Sequence, residues 1–183
     1  MKAIRTSLLL LPALLVATSP LLAQDRQPVS PHETVNATIG SNDISVAYGR
    51  PYSKDPKSGE KRKIWGTLVP YGKVWRMGAD EATLLTTEEA IDLGGTAIPA
   101  GTYSLFLQPE EQGGAKLIVN KQTGQWGTKY DEKQDLARIE LKKEAAPAPA
   151  DQFTISIEKS GDDGGMLKMT WEDAQYSVAF RNK

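Results

Sequence analysis

Arginine and aromatic side chains are concentrated in one stretch of the sequence, residues 48–86. Between Tyr48 and Arg76 the chain carries eight basic residues against Asp55 and Glu60, although the net charge of the whole chain is −1. The interleaved aromatic residues are Tyr48, Tyr52, Trp65, Tyr71 and Trp75. Guanidinium groups bind carboxylates and phosphates through paired N–H donors, and aromatic faces attract cations and flat groups. The stretch therefore predicts a site for an anionic or carbohydrate-like group, and it specifies no reaction.

Seven charged or aromatic side chains in and near this stretch make up the predicted ligand site. They are Arg50, Tyr52, Arg62, Trp75, Arg76, Glu81 and Trp126. Pro51 disfavours a helical conformation at Arg50, so we expect Arg50 to extend from the end of a strand. Its guanidinium then either points into a pocket or forms an ion pair that fixes the loop. Arg76 has the same two alternatives, with Glu81 as the ion-pair partner.

Other residues of this stretch are also open to a structural interpretation. The lysines of segment 54–61 belong to a charge run that is typical of a solvated loop. Trp65 and Trp75 fit a hydrophobic core as well as they fit a platform for a sugar ring. Trp126 begins a short motif of similar composition, which either lies on the rim of the same site or closes one end of the domain.

The residue inventory excludes most familiar catalytic machinery. The chain has no cysteine, so it has no thiol nucleophile, disulfide or thiolate metal site. His32 is the only histidine, which excludes a multi-histidine zinc site and leaves one base for a Ser-His-Asp triad. We predict no metal, no cofactor and no catalytic residue. The remaining chemistry is acid–base catalysis by carboxylates such as Asp80 and Glu81, of which only one would face a site from a strand.

Alternating apolar and polar residues predict the β-strands that position these side chains. The alternating segments are 35–39, 44–48, 84–86, 91–98, 103–107, 117–119, 136–141, 153–157, 167–171 and 176–180. Residues 40–43 and Gly94-Gly95 predict hairpin turns, and residues 160–165 a hairpin loop. The Ala/Pro segment 145–150 predicts an extended loop between two strands. We therefore predict an all-β fold, with one antiparallel β-sandwich or jelly-roll-like domain of about nine or ten short strands.

The first residues have the three-part pattern of a secretion signal. Lys2 and Arg5 precede an apolar run at 8–17, and Ala23 is a small residue at a suitable cleavage point. Residues 1–23 are thus the predicted signal peptide and residues 24–183 a single exported domain, periplasmic or secreted. No later segment is long and apolar enough to span a membrane. Export argues against nucleic acid as a partner, and the sequence specifies no oligomeric state.

Several short motifs together resemble a known family of secreted bacterial proteins. The motifs are Tyr48-Gly49-Arg50-Pro51, Val74-Trp75-Arg76 with Gly78-Ala79 and Glu81-Ala82-Thr83, and Pro99-Ala100-Gly101-Thr102-Tyr103-Ser104-Leu105. They resemble the domain-of-unknown-function family numbered twenty-nine eleven, over most of the exported chain. The chain departs from that family at Asp80, where many relatives have asparagine. The resemblance implies a secreted β-sandwich-like domain and implies no activity, so it assigns no site residue.

Three functions are compatible with these residues. The leading hypothesis is a non-enzymatic binding module for an anionic or carbohydrate-like ligand. The first alternative is a carboxylate-based glycan-processing enzyme, which requires two acidic groups about 5–10 Å apart in one cleft. The second alternative is a structural envelope domain in which Arg50, Arg76 and Glu81 form a buried ion-pair network.

Overall fold

The computed structural model describes residues 30–183. The predicted signal peptide, residues 1–23, lies outside the described residues. Within residues 30–183, no helix combines the length and the apolar character that a membrane crossing requires. Export and signal cleavage stay predictions.

Nine β-strands and one short 3₁₀-helix make up the described fold. The strands are β1 (His32–Ile39), β2 (Asn42–Gly49), β3 (Thr83–Thr87), β4 (Ile91–Leu93), β5 (Thr96–Ile98), β6 (Gly101–Pro109), β7 (Ala115–Asn120), β8 (Asp135–Lys159) and β9 (Gly164–Asn182), and the 3₁₀-helix is Glu132–Gln134. They form one antiparallel sheet in the order β1-β2-β3-β6-β7-β8-β9-β4-β5. The predicted all-β, antiparallel fold is confirmed, and the hairpins β1–β2 and β4–β5 are present.

The last two strands are much longer than the alternation pattern indicates. β8 contains both segments 136–141 and 153–157, and β9 contains both 167–171 and 176–180. The first part of β8 pairs with β7 and the remainder pairs with β9, so this strand connects the two halves of the sheet. The prediction of short strands throughout is therefore wrong for the C-terminal third of the chain.

The predicted loop at the Ala/Pro segment is a part of β8. The pairing register between β8 and β9 shifts between Ala145 and Ala150, and again between Ala150 and Thr154. Proline has no backbone N–H for a ladder, so strands accept it where the pairing is interrupted. Pro147 and Pro149 lie within the first register shift. The loop prediction is wrong because an interrupted strand and an extended loop have the same composition.

The sheet curls so that β1 and β2 lie against the C-terminal part of β8. The Tyr48 hydroxyl on β2 accepts a hydrogen bond from the Ile155 N–H at 2.9 Å and donates one to Glu33 Oε2 at 3.0 Å. Burial raises the pKa of Tyr48 to about 12. The main core contains Phe153 and Trp171, both almost fully buried. These contacts are compatible with the predicted sandwich.

A long loop, residues 50–82, joins β2 to β3 and contains no extended strand. Three isolated β-bridges connect this loop to other parts of the chain. They are Tyr52 with Gln152, Trp75 with Leu107, and Glu81 with Trp126. Because the loop carries most of the predicted site residues, these three attachments determine where those residues lie.

Tyr48→Phe tests the contact between β2 and β8. The substitution removes the acceptor of the Ile155 N–H, so we expect the free energy of unfolding to fall by about 1–3 kcal/mol. Urea unfolding followed by tryptophan fluorescence measures the change. Tyr52→Phe is the matched control, because Tyr52 is 41% exposed and should change the free energy by less than about 0.5 kcal/mol. Equal losses in both variants would contradict the assigned role of the Tyr48 hydroxyl.

Candidate functional site

A cleft of about 560 Å³ is lined by the loop 50–82, the segment 125–130 and residues of β6 and β9. Its lining combines two cations, one carboxylate and several aromatic rings. The residues central to its chemistry are Tyr52, Arg62, Trp75, Arg76, Asp80 and Trp171. The cleft therefore contains four of the seven predicted site residues.

The aromatic part of the cleft is a stacked pair of tryptophans. The rings of Trp75 and Trp171 lie 5.6 Å apart, between centroids, at an interplanar angle of 20°. Trp75 exchanges two backbone hydrogen bonds with Leu107, at 2.7 and 2.8 Å, and Phe153 packs edge-on against it at 5.1 Å. Trp75 thus packs on the core and also lines the cleft. The pair offers a rigid apolar surface of the kind that lines ligand pockets.

The two arginines of the cleft carry positive charge that no nearby carboxylate neutralises. Arg76 Nε donates a hydrogen bond to the Gly78 carbonyl at 3.2 Å, and an Nη atom of Arg62 donates to the Tyr52 carbonyl. Within residues 30–183, no carboxylate oxygen lies within 4.0 Å of either guanidinium. The carbonyl contacts orient both groups, and their charge remains available to an anion.

Three buried polar atoms of the lining residues have no hydrogen-bond partner in the described structure. They are Arg62 Nε, Trp171 Nε1 and Asp80 Oδ2. Native proteins pair nearly all buried polar groups, and leaving one unpaired costs about 1–3 kcal/mol. Two of these atoms belong to donor groups and one is an acceptor. All three atoms are closed to solvent, so a ligand in the open cleft does not reach them without a local rearrangement.

The turn that follows Arg76 has an unusual backbone. Met77, with φ 49°, and Asp80, with φ 61°, are both left-handed although neither is glycine. The Thr83 hydroxyl holds the turn by donating a hydrogen bond to the Met77 carbonyl at 2.7 Å. A Cβ on Gly49 would lie 2.4 Å from a carbonyl oxygen of this turn, so glycine permits the close approach. Backbone strain of this kind is concentrated at functional sites.

Asp80 adopts the left-handed backbone of this turn and also lines the cleft with an acidic side chain. Asparagine and aspartate tolerate left-handed φ values better than other non-glycine residues, so either residue suits this position. The Asp80 carboxylate lines the cleft, with Oδ2 at 3.4 Å from His32 Nε2. Glu81 Oε2 lies 3.5 Å from the same nitrogen, but the Glu81 side chain is 63% exposed and lies outside the cleft. One of the two adjacent acids faces the cleft, and it is Asp80 rather than the predicted Glu81.

Arg50 fixes the loop and does not line the cleft. Its Nη1 lies 3.1 Å from Glu33 Oε2, and its other nitrogens donate to the Phe153 carbonyl at 3.3 Å and the Thr154 hydroxyl at 2.9 Å. The ion-pair interpretation of Arg50 therefore describes the structure, with Glu33 in place of Glu81. The predicted network of Arg50, Arg76 and Glu81 is wrong, because the three side chains do not contact one another.

Trp126 lies beside the cleft and not in its lining. The side chain is 48% exposed, and its backbone pairs with Glu81. The next residues, Gly127 and Thr128, do line the cleft. A Cβ on Gly127 would lie 2.7 Å from Arg76 Cδ, so the segment packs closely on the Arg76 side chain.

The family comparison identifies the chain's relatives. The family model described as a protein of unknown function, DUF2911, matches residues 30–180. The chain belongs to this family. The predicted resemblance to this family is thereby confirmed. No curated protein and no solved structure matches the chain. Membership of DUF2911 carries no activity, so the chemistry of the cleft must be argued from its residues.

Sequence reasoning missed several lining residues of this DUF2911 cleft. Trp171 sits in an alternating strand, and that pattern gives no sign that this buried residue also lines a cleft. Phe106 lies on the opposite face of β6 from Leu105 and Leu107, and it packs with Tyr130 at 4.9 Å. The unbroken run Leu105-Phe106-Leu107 is the signal that could have found it, because consecutive apolar residues indicate a strand buried on both faces.

Gly127→Ala tests the packing of segment 125–130 on Arg76. The added Cβ would lie 2.7 Å from Arg76 Cδ and 2.9 Å from the Asp80 carbonyl oxygen, so we expect a loss of about 1–3 kcal/mol in unfolding free energy. Gly114→Ala is the matched control, since its Cβ would meet the flexible end of the Glu110 side chain. Urea unfolding compares the two. A Gly127 variant as stable as the control would contradict the close packing.

Arg50→Ala and Arg76→Ala separate the structural arginine from the cleft arginine. Arg50→Ala removes an ion pair and two hydrogen bonds, so we expect the unfolding free energy to fall by about 1.5–3 kcal/mol. Arg76→Ala removes one side-chain hydrogen bond to a carbonyl, and we expect less than about 1 kcal/mol. Thermal and urea unfolding of the two variants give the comparison. The reverse order of stabilities would refute this division of roles.

Proposed function

We propose that this DUF2911 protein is an exported, non-enzymatic binding module for an anionic, carbohydrate-like ligand in the cleft. One observation carries the proposal: Arg62 and Arg76, whose charges are not neutralised, lie in the same cleft as the stacked Trp75 and Trp171 rings. The cleft volume of about 560 Å³ falls within the range of about 300–1,000 Å³ that small-molecule sites occupy.

Each part of the cleft has a recognisable role in holding such a ligand. The guanidinium groups of Arg62 and Arg76 bind a carboxylate, sulfate or phosphate group through several N–H donors. The Asp80 carboxylate accepts a hydrogen bond from a ligand hydroxyl. Trp75 packs against the apolar face of a ring, and Tyr52 lies at the partly exposed margin. The two charge types together favour a ligand that is both acidic and rich in hydroxyl groups.

The geometry does not supply what the glycan-processing alternative requires. Glycoside hydrolysis needs two carboxyl groups that flank the scissile bond. Among the described residues that line the cleft, Asp80 is the one carboxylate. A binding function needs no second carboxylate, so it fits the residues that line the cleft better than glycan hydrolysis does.

A glycan array followed by calorimetry tests the proposed function. We expect acidic glycans to bind in preference to neutral glycans of the same backbone. We expect Arg76→Ala to weaken the best ligand at least tenfold, about 1.4 kcal/mol, because it removes a cation from the cleft. Arg181→Ala is the charge-matched control, since Arg181 is exposed on β9 opposite Asp92 of β4.

Two results would refute the proposal. One is a preference for neutral glycans over acidic ones. The other is unchanged affinity in an Arg76→Ala protein whose unfolding transition shows that it is folded. A loss of affinity in the Arg181 control would likewise show that total charge, and not the cleft, determines binding.

A further inference from the structure

Two more depressions continue from the cleft along the surface. The first, about 430 Å³, shares Arg62 with the cleft and is also lined by Lys63 and Trp65. The second, about 470 Å³, shares Trp65 and Asp173 with the first and is also lined by Lys143. Because each depression shares lining residues with the next, the three are adjacent on the surface, and we call them together the groove.

Cations without an ion-pair partner follow one another along the groove. They are Arg76, Arg62, Lys63 and Lys143, in the order of the three depressions. In the part of the chain that the structure describes, none of the four lies within 4.0 Å of a carboxylate oxygen. Lys143 instead lies over the ring of Tyr176, 5.9 Å from its centroid.

The carboxylates of the outer depressions are mostly neutralised. Glu172 pairs with Lys61 at 2.8 Å, and Glu144 pairs with Lys142 at 2.5 Å. Among the described residues of the groove, Asp80 and Asp173 are the carboxylates that form no ion pair with a lysine or arginine. In the described structure, the groove thus contains four cations that form no ion pair and two carboxylates, Asp80 and Asp173, that form none with a lysine or arginine.

We propose that the groove binds a linear acidic polysaccharide, with successive acidic sugar units in the three depressions. This inference rests on the proposed function, since the cleft is its first depression. Acid groups recur along such a chain, and each of the three depressions offers at least one unpaired cation to them. Its rings meet the faces of Trp75 and Trp65, and its hydroxyls donate to Asp80 and Asp173.

Sugar hydroxyls distinguish this ligand from other polyanions. Single-stranded DNA also combines negative charge with flat rings, but its deoxyribose-phosphate backbone offers no hydrogen-bond donor to a carboxylate. An acidic peptide supplies charge, and it lacks rings to fill the aromatic positions. A chain of uronic acid units supplies a carboxylate, a ring face and hydroxyl donors in every unit.

Calorimetry with oligogalacturonates of two, four and six units tests the groove. We expect the six-unit oligomer to bind at least tenfold more tightly than the two-unit oligomer at the same ionic strength. The variant Lys63→Ala with Lys143→Ala should lose this gain and leave the affinity for two units unchanged within about twofold. The variant Lys159→Ala with Arg181→Ala removes two exposed cations outside the groove and should keep the gain.

The outcomes separate the groove from the cleft. Equal affinity for the two-unit and six-unit oligomers would overturn the proposal that the groove binds a longer chain. If Arg76→Ala abolished that binding, the result would still support ligand binding in the cleft. If both double variants lost the tighter binding of the six-unit oligomer, unspecific charge attraction would be its cause. This result would also overturn the proposal that the groove binds the oligomer. Absence of binding at every length, or tighter binding of hexaglutamate or of a hexanucleotide, would overturn the assignment to an acidic polysaccharide.

Discussion

The stacking of Trp75 on Trp171 is the contact on which the rest of the site depends. The loop 50–82 is far longer than the connections usual in compact domains, and it contributes few backbone ladders of its own. Such a segment is ordered only if it buries apolar surface. Trp75 and Trp65 provide that surface, since both pack on Trp171 from the loop side. Together with the three backbone attachments of the loop, this insertion determines where its side chains lie in the cleft.

The same insertion helps to hold the residues of the cleft in one arrangement. Trp75 is held by its backbone pairing with Leu107, and Arg76 comes next in the chain, between that pairing and the left-handed turn. Gly127 packs on the Arg76 side chain from the opposite side. A preorganised site loses less conformational freedom on binding, so more of its contact energy appears as affinity. The strained turn at Met77 and Asp80 is a cost of this arrangement that the surrounding packing offsets.

Local patterns in the sequence predicted the strands well and the ion pairs poorly. The alternation in β1, β2 and β6 reports burial on one face, which is a property of each strand alone. The partner of Arg50 is Glu33 on β1, which the β1–β2 hairpin places opposite Tyr48, two residues before Arg50. The hairpin was predicted, but the pattern of alternation does not specify which carboxylate pairs with Arg50. The sequence predicted Glu81 in the site, whereas Asp80 lines the cleft. The left-handed backbone at Asp80 changes which of these two neighbours faces the cleft. The merged strands β8 and β9 were missed because residues of loop-like composition continue them.

The proline-containing part of β8 has a consequence for the behaviour of the protein in solution. A strand of 25 residues with an unbroken ladder would be a template for pairing with other chains, the route by which sheets aggregate. Pro147 and Pro149 remove two N–H donors in the stretch where the register with β9 shifts. Intermolecular pairing along β8 is therefore interrupted near its middle. The composition that resembles a linker therefore limits the backbone pairing available to this stretch of β8.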